Sequence, residues 1–321
     1  MRTAFIETLF ELAETDDRIT LIVGDLGFGV VTRFMQELPG QFVNAGVAEQ
    51  NMTGLAAGMA LSGKIAFTYS IANFPVLRCL EQIRNDICYH NANVKIVAVG
   101  GGMAYGSLGM THHATEDIAI MRALPNMVVL APNDPVESRL ATRAVVAHDG
   151  PCYLRLGRVG EPVVHTSDID FQIGKAIRVR EGDDLTLIAT GGLLGNALRA
   201  AELLGEMSIQ ARVLSVHTVK PLDAEAVLDA ARDTDAIFTI EEHSVIGGLG
   251  GAVAELLLEA GARPARFMRI GLNSAFSSKI GDQDYLRNQH GLDAAGMVAT
   301  IRRTLESPTG KWDVRELLEV T

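Results

Sequence analysis

The chain alternates short β-branched runs with helix-period segments, breaks once, and then alternates again. Candidate strands fall at residues 19–23, 65–68, 94–99, 127–130 and 152–155, with helical patterns among them at 3–13, 49–62, 76–89, 115–124 and 135–147. Strands that take turns with helices in this way are joined by crossovers, so the sheet they build is largely parallel and carries helices on both faces. Residues 157–184 are richer in Gly, Pro and charge, as in Gly160-Glu161-Pro162 and Glu181-Gly182-Asp183-Asp184. Beyond them the pattern restarts, with strands at 185–189, 211–215, 236–240 and 266–270 and helices at 196–205, 224–231, 249–260 and 294–305. The expected fold is therefore α/β, as two three-layer domains over 1–165 and 185–321 with 166–184 as linker. A length of 321 residues suits two ordinary domains better than one.

Composition narrows the function classes. A formal charge of −11 with no basic run makes a poor nucleic-acid ligand, although a few local Arg side chains can still collect a small anion. Three cysteines with no CxxC pair point away from a disulfide framework or a zinc site, and Cys79, in an apolar helical stretch, reads as core. The first residues run into an acidic amphipathic helix rather than a signal peptide, and no uninterrupted apolar run reaches membrane-spanning length. The expectation is a soluble, reduced, cytoplasmic protein.

One carboxylate stands out. Glu49 is the only charged residue between Glu37 and Lys64, inside the run Gly46-Val47-Ala48-Glu49-Gln50-Asn51-Met52-Thr53-Gly54-Leu55-Ala56-Ala57-Gly58-Met59-Ala60. The run reads as a closely packed, mostly buried helix, where a lone carboxylate costs free energy unless it has a task. A helix-end Glu favoured by the dipole explains the same residue, and on spacing alone that is the commoner outcome. Phe74 follows a strand in Tyr69-Ser70-Ile71-Ala72-Asn73-Phe74-Pro75, at the kind of strand end where α/β sheets bind ligands, and a core Phe is the alternative.

A glycine-rich loop, Gly100-Gly101-Gly102-Met103-Ala104-Tyr105-Gly106-Ser107-Leu108-Gly109-Met110-Thr111-His112-His113, fits neither a dinucleotide fingerprint nor a P-loop. Its glycines let backbone approach a ligand, and its histidines can serve acid–base chemistry or cap the next helix. Arg2, Arg155 and Arg158 flank elements that could meet near strand ends, as forks for phosphate or carboxylate or as surface ion pairs. Adjacent Glu241, Glu242 and His243 resemble a metal cluster only superficially, because neighbouring residues rarely converge on one ion.

In combination, several segments resemble the C-terminal half of transketolase over roughly residues 2–305. They are Gly46–Met52, Glu81-Gln82-Ile83-Arg84, Thr111-His112 with Glu116-Asp117, Leu154-Arg155-Leu156-Gly157-Arg158, His217–Asp223 and Glu241–Gly250. The resemblance implies thiamine diphosphate as cofactor. It places Glu49 on N1′ of the aminopyrimidine, where its hydrogen bond favours the tautomer that takes the proton from the thiazolium C2. Phe74 corresponds to an aromatic stacked on the pyrimidine, Ile71 to a position where many relatives carry another aromatic, and Asp25 to a loop approaching the cofactor. His112 corresponds to a histidine near the reacting carbons of the donor, and Arg2 and Arg158 to two arginines that hold a sugar phosphate. The implied reaction is transfer of a two-carbon glycolaldehyde unit from a ketose to an aldose.

Departures from that pattern carry information. Gly100 stands where relatives place a phosphate-binding histidine, Gly29 where a serine commonly helps, and Leu108 where an aspartate reads a donor hydroxyl. An unusual sugar is therefore expected, branched, deoxygenated, sulfonated or otherwise modified. No Gly-Asp-Gly segment of the Mg²⁺- and diphosphate-binding half occurs in the sequence. The resemblance thus implies one subunit of a split enzyme, dependent on an N-terminal transketolase subunit that carries the Mg²⁺ site, as an α2β2 assembly. The rival readings are the β subunit of a 2-oxo-acid dehydrogenase decarboxylase and a non-catalytic assembly subunit of the same fold.

Overall fold

A computed structural model describes residues 1–158, 160–166 and 168–307. Two sheets organise them. The first orders its strands β10-β5-β6-β4-β3-β1-β2, where β1 is Ile19–Val23, β2 Phe42–Asn44, β3 Ile65–Ile71, β4 Val94–Val99, β5 Val128–Leu130, β6 Cys152–Leu156 and β10 Thr218–Lys220. The second orders β12-β11-β8-β9-β7, from β7 Ile177–Arg180, β8 Leu185–Thr190, β9 Ala211–Ser215, β11 Ala236–Ser244 and β12 Arg266–Leu272. Pairing is parallel throughout, except for β10 on β5 and β7 on β9.

The three-layer arrangement follows from strands that are apolar on both faces. Along β4, Val94, Ile96 and Ala98 face one core, with Met52, Ala56 and Ala57 of the helix Glu49–Leu61 and with Cys79. Val97 and Val99 face the other, with Phe5, Leu9 and Phe10 of the helix Arg2–Ala13 and Ala141 and Val145 of Pro135–Ala147. The period of two sends alternate side chains to opposite helix layers. The second sheet repeats the scheme. Leu185, Leu187 and Ala189 pack on Leu194–Gly205 and Ala294–Glu306, while Ile188 packs on Leu249–Glu259 from the other side.

Four expectations need correction. The stretch expected as linker contains β7, an edge strand paired antiparallel to β9. β10, from the second half of the chain, completes the first sheet beside β5. The helix expected at 76–89 is broken into Asn73–Leu77, Leu80–Gln82 and a wider π turn at Ile83–Cys88. The helix expected to be mostly buried, Glu49–Leu61, buries one face only; Gln50, Asn51, Gly54, Leu55, Gly58 and Leu61 are exposed on the other. Cys79 is core, as expected.

Candidate active site

Neighbouring order β4-β3-β1-β2 brings four strand ends together, and the segments that follow them carry His112, Phe74, Asp25 and Glu49 in turn. Glu49 opens its helix and lies against the end of β1; a methyl added at Gly24 would sit 3.7 Å from Glu49 Cγ. Only 5% of Glu49 is exposed. Its Oε2 accepts a hydrogen bond from Arg78 Nη1 at 3.0 Å, an ion pair whose arginine is half exposed. Among the described residues nothing donates to its Oε1. Val47, Ala48, Glu49, Gln50, Asn51 and Arg78 line an open cleft of about 490 Å³.

Phe74, after β3, is reached from both sides. The Arg78 guanidinium lies 4.3 Å from its ring centroid, and the His112 ring 5.2 Å away, edge on. His112 in turn lies 6.4 Å from the ring of Tyr105, over which Arg158 places its guanidinium at 4.9 Å. Glu49, Arg78, Phe74, His112, Tyr105 and Arg158 thus form one continuous line of contacts across the strand ends. Arg2 stands close enough that its charge pulls the Tyr69 and Tyr105 hydroxyls down, although burial outweighs it and raises both. Arg2 Nε is buried without a hydrogen-bond partner, and among the described residues neither Arg2 nor Arg158 meets a carboxylate.

Asp25 and Ile71 are less engaged. Asp25 is exposed just past β1 in left-handed backbone (φ 53°), held by Asn44, which donates from Nδ2 at 2.9 Å and accepts the Asp25 N–H at 3.1 Å. Ile71 is half-buried at the end of β3. A larger cavity of about 730 Å³ opens between the two domains, lined by Phe74, Arg78, His112, His113, Phe276 and Lys279 among others. His113 is buried with its Nε2 unpartnered, and burial holds its imidazole below the usual histidine range.

Two functional candidates were not singled out from the sequence. Arg78 lies four residues after Phe74, a spacing that puts two side chains on one helical face, and that was its available signal. Tyr105 fills the space opened by Gly100: a Cβ there would meet the Tyr105 ring, and Gly100 itself has φ 83°. Leu108 is exposed on a short turn, and Gly29 faces open space.

Arg155, offered as an anion fork or a surface ion pair, is neither. It is buried and donates from Nε to Asp117 Oδ2 at 2.7 Å and from Nη2 to the carbonyls of Ala114 (2.9 Å) and Glu242 (3.0 Å). Burial would lower its guanidinium, but Asp117 more than offsets this and raises it. The acidic trio separates into distinct tasks. Glu241 accepts the Leu249 and Gly250 N–H groups at the start of a helix, Glu242 accepts the Met103 N–H of the glycine loop at 2.6 Å and Arg287 Nε at 2.6 Å, and His243 Nε2 accepts the Ala119 N–H.

A buried carboxylate, an aromatic face and an imidazole thus lie near adjoining strand ends of a two-domain α/β chain, a candidate active site. Residues 1–160 match the transketolase pyrimidine-binding domain and residues 174–297 the transketolase C-terminal domain. The chain is 42% identical to the 6-deoxy-6-sulfo-D-fructose transketolase subunit SqwH of Clostridium sp. (strain MSTE9), covering 95% of this chain and 94% of that one. It is 41% identical to one of the subunits of the apulose-4-phosphate transketolase of Phocaeicola vulgatus, covering 93% and 95%. A solved structure described as a split-gene transketolase in an inactive β4 tetramer superposes with a TM-score of 0.86 at 40% identity, covering 95% and 97%. The chain belongs to the transketolase family, as a subunit of the split kind, and is a transferase.

Proposed function

We propose that this chain supplies the pyrimidine-binding side of an active site completed by an N-terminal transketolase subunit, and that the pair moves a two-carbon unit from an anionic, modified ketose to an aldose. The observation that carries this reading is Glu49, a nearly buried carboxylate whose one side-chain partner among the described residues, Arg78, also lies over the ring of Phe74. That constellation fits an aminopyrimidine. Glu49 would hold N1′ by sharing a proton with it, Phe74 would stack on the ring, and Ile71 and Asp25 would border it. Thiamine diphosphate supplies the carbanion chemistry that no side chain can. His112, beside Phe74, would hydrogen-bond a donor oxygen and hold its proton as charge develops. Arg2 and Arg158, without carboxylate partners among the described residues, would hold the anionic end of the sugar.

Among the described residues no three His, Cys, Asp or Glu side chains gather as metal ligands. Mg²⁺ and the diphosphate would be held by the N-terminal subunit, in an α2β2 assembly. The exposed face of Glu49–Leu61, with Leu55 and Leu61 beside Gly54 and Gly58, supports a partner there. The modified sugar is supported by Gly100, Gly29 and Leu108, and by two similar subunits named for a sulfonated sugar and for apulose 4-phosphate. The three cysteines, free and buried, suit the reducing cytoplasm proposed as its location.

The test is reconstitution with the N-terminal half. Glu49→Ala is expected to abolish transfer by the pair while the melting temperature stays nearly unchanged, because Arg78 can turn into solvent. Wild-type turnover by the variant would reject the assignment. The unmodified pair is expected to use xylulose 5-phosphate and ribose 5-phosphate poorly, and full-speed turnover of them would reject the modified-sugar reading.

A further inference from the structure

Arg78 touches both groups to which the proposed reading gives the aminopyrimidine. Its guanidinium donates to the Glu49 carboxylate at 3.0 Å and lies on the face of Phe74, 4.3 Å from the centroid. A planar group that hydrogen-bonds the carboxylate while stacking on the aromatic is the description of the bound pyrimidine itself. Among the described residues, Arg78 is also the one that lines both the cleft at Glu49 and the larger cavity at Phe74 and His112. It stands as the wall between them.

From this geometry we infer that Arg78 is a placeholder: in the chain without cofactor its guanidinium occupies the aminopyrimidine position, and it swings out when the cofactor enters. The arrangement has a physical reason. A nearly buried carboxylate without a partner is costly, and a cation against it removes most of that cost until the pyrimidine arrives. Half of the Arg78 side chain is in solvent, so it can leave by rotating about its own stem without unfolding its turn. Leaving gives up one charged hydrogen bond and one cation–π contact, contacts of modest strength at a half-exposed site. The departure therefore weakens apparent cofactor affinity without blocking it, and joins the two cavities into one space.

The inference rests on the assignment of Glu49 and Phe74 to the pyrimidine, and the experiment separates the two. Thiamine diphosphate binding to the reconstituted pair is measured by titration calorimetry in Mg²⁺ for wild type, Arg78→Ala and Arg78→Gln, and turnover of the pair for wild type and Glu49→Gln. Removing the competitor is expected to tighten cofactor binding about tenfold in both Arg78 variants, the size set by one exposed ion pair plus one cation–π contact. The free chain of each Arg78 variant is expected to melt below wild type, because Glu49 loses its cation. The Gln variant serves if the Ala variant folds poorly. Unchanged or weaker binding in the Arg78 variants overturns the placeholder and makes Arg78 a bystander or a cofactor contact. Wild-type turnover by the reconstituted pair carrying Glu49→Gln, which can still hydrogen-bond N1′ but cannot share a proton with it, overturns the pyrimidine assignment instead, whatever Arg78 does.

Discussion

At the scale of single residues, the contacts of the candidate site join positions far apart in the chain. Glu49 announced itself as one charge among small apolar residues, and Phe74 and His112 as side chains beyond strands. Their neighbours did not, because Arg78 meets Glu49 across 29 positions and only the paired strands bring them together. Gly100 illustrates the limit. Read alone it is a missing histidine; in the fold it is the space into which Tyr105 inserts its ring, and Tyr105 in turn seats Arg158. That coupling has a measurable form. Gly100→Ala pays for left-handed backbone, about 1–2 kcal/mol, and also pushes against the Tyr105 ring. In a Tyr105→Ala background only the backbone cost remains. Urea denaturation of the four proteins in the cycle is expected to show a coupling of about 1–2 kcal/mol, within the range found for touching residues. Equal costs of Gly100→Ala in both backgrounds would mean that the ring does not depend on this space.

Among the elements, buried parallel strands were the easiest to read, since β1, β4 and β9 are mostly apolar or β-branched, broken only by Lys95 in β4 and by Arg212 and Ser215 in β9, and have the expected bounds. The missed strands, β2, β7 and β10, are short edge pieces of three or four residues whose pattern is too brief to separate from loop. Edge strands are ordered by what they pair with, which no local window contains. The same holds for the polar joint between helix, strand and loop at Arg155. Asp117 Oδ2 accepts from both Arg155 Nε (2.7 Å) and Tyr153 Oη (2.6 Å) in a site closed to water. Asp117→Ala would leave a buried guanidinium without a counter-charge, so a loss of about 3–5 kcal/mol is expected. Glu255→Ala, which breaks the pair of Arg122 with a largely exposed carboxylate, is expected to cost less than about 1 kcal/mol. Chemical denaturation of both variants under one set of conditions checks the contrast; similar midpoints would show that Arg155 finds another partner or water.

For the whole molecule, the two α/β units were readable as a pattern that stops and restarts, but the way they join was not. The seam lies at His217. Its carbonyl accepts the Ala131 N–H just past β5, its ring stacks on Phe171 at 3.9 Å, and its Nδ1 pairs with the Thr218 hydroxyl. Nε2 is buried and unpartnered, and burial pushes the imidazole down to about 4. The fold thus prefers the neutral ring, so its contribution to stability is complete above the ordinary histidine value near 6.5 and is lost as pH falls toward 4. Nearby His165 behaves oppositely. Burial lowers it, but the Glu137 carboxylate at 2.8 Å more than compensates and raises it, so its contribution is complete below about 6.5 and is lost as pH rises through its folded value. The two histidines therefore place the firmest seam near pH 6.5. A shift of this size at His217 corresponds to about 3 kcal/mol between pH 6.5 and 4. Urea unfolding of the wild type and of His217→Gln, which keeps a polar neutral side chain beside Thr218, isolates that part from the carboxylates both proteins share. The wild type is expected to lose about 3 kcal/mol more than the variant over this interval. Parallel pH profiles would show that the seam opens to water around the ring before the ring is protonated.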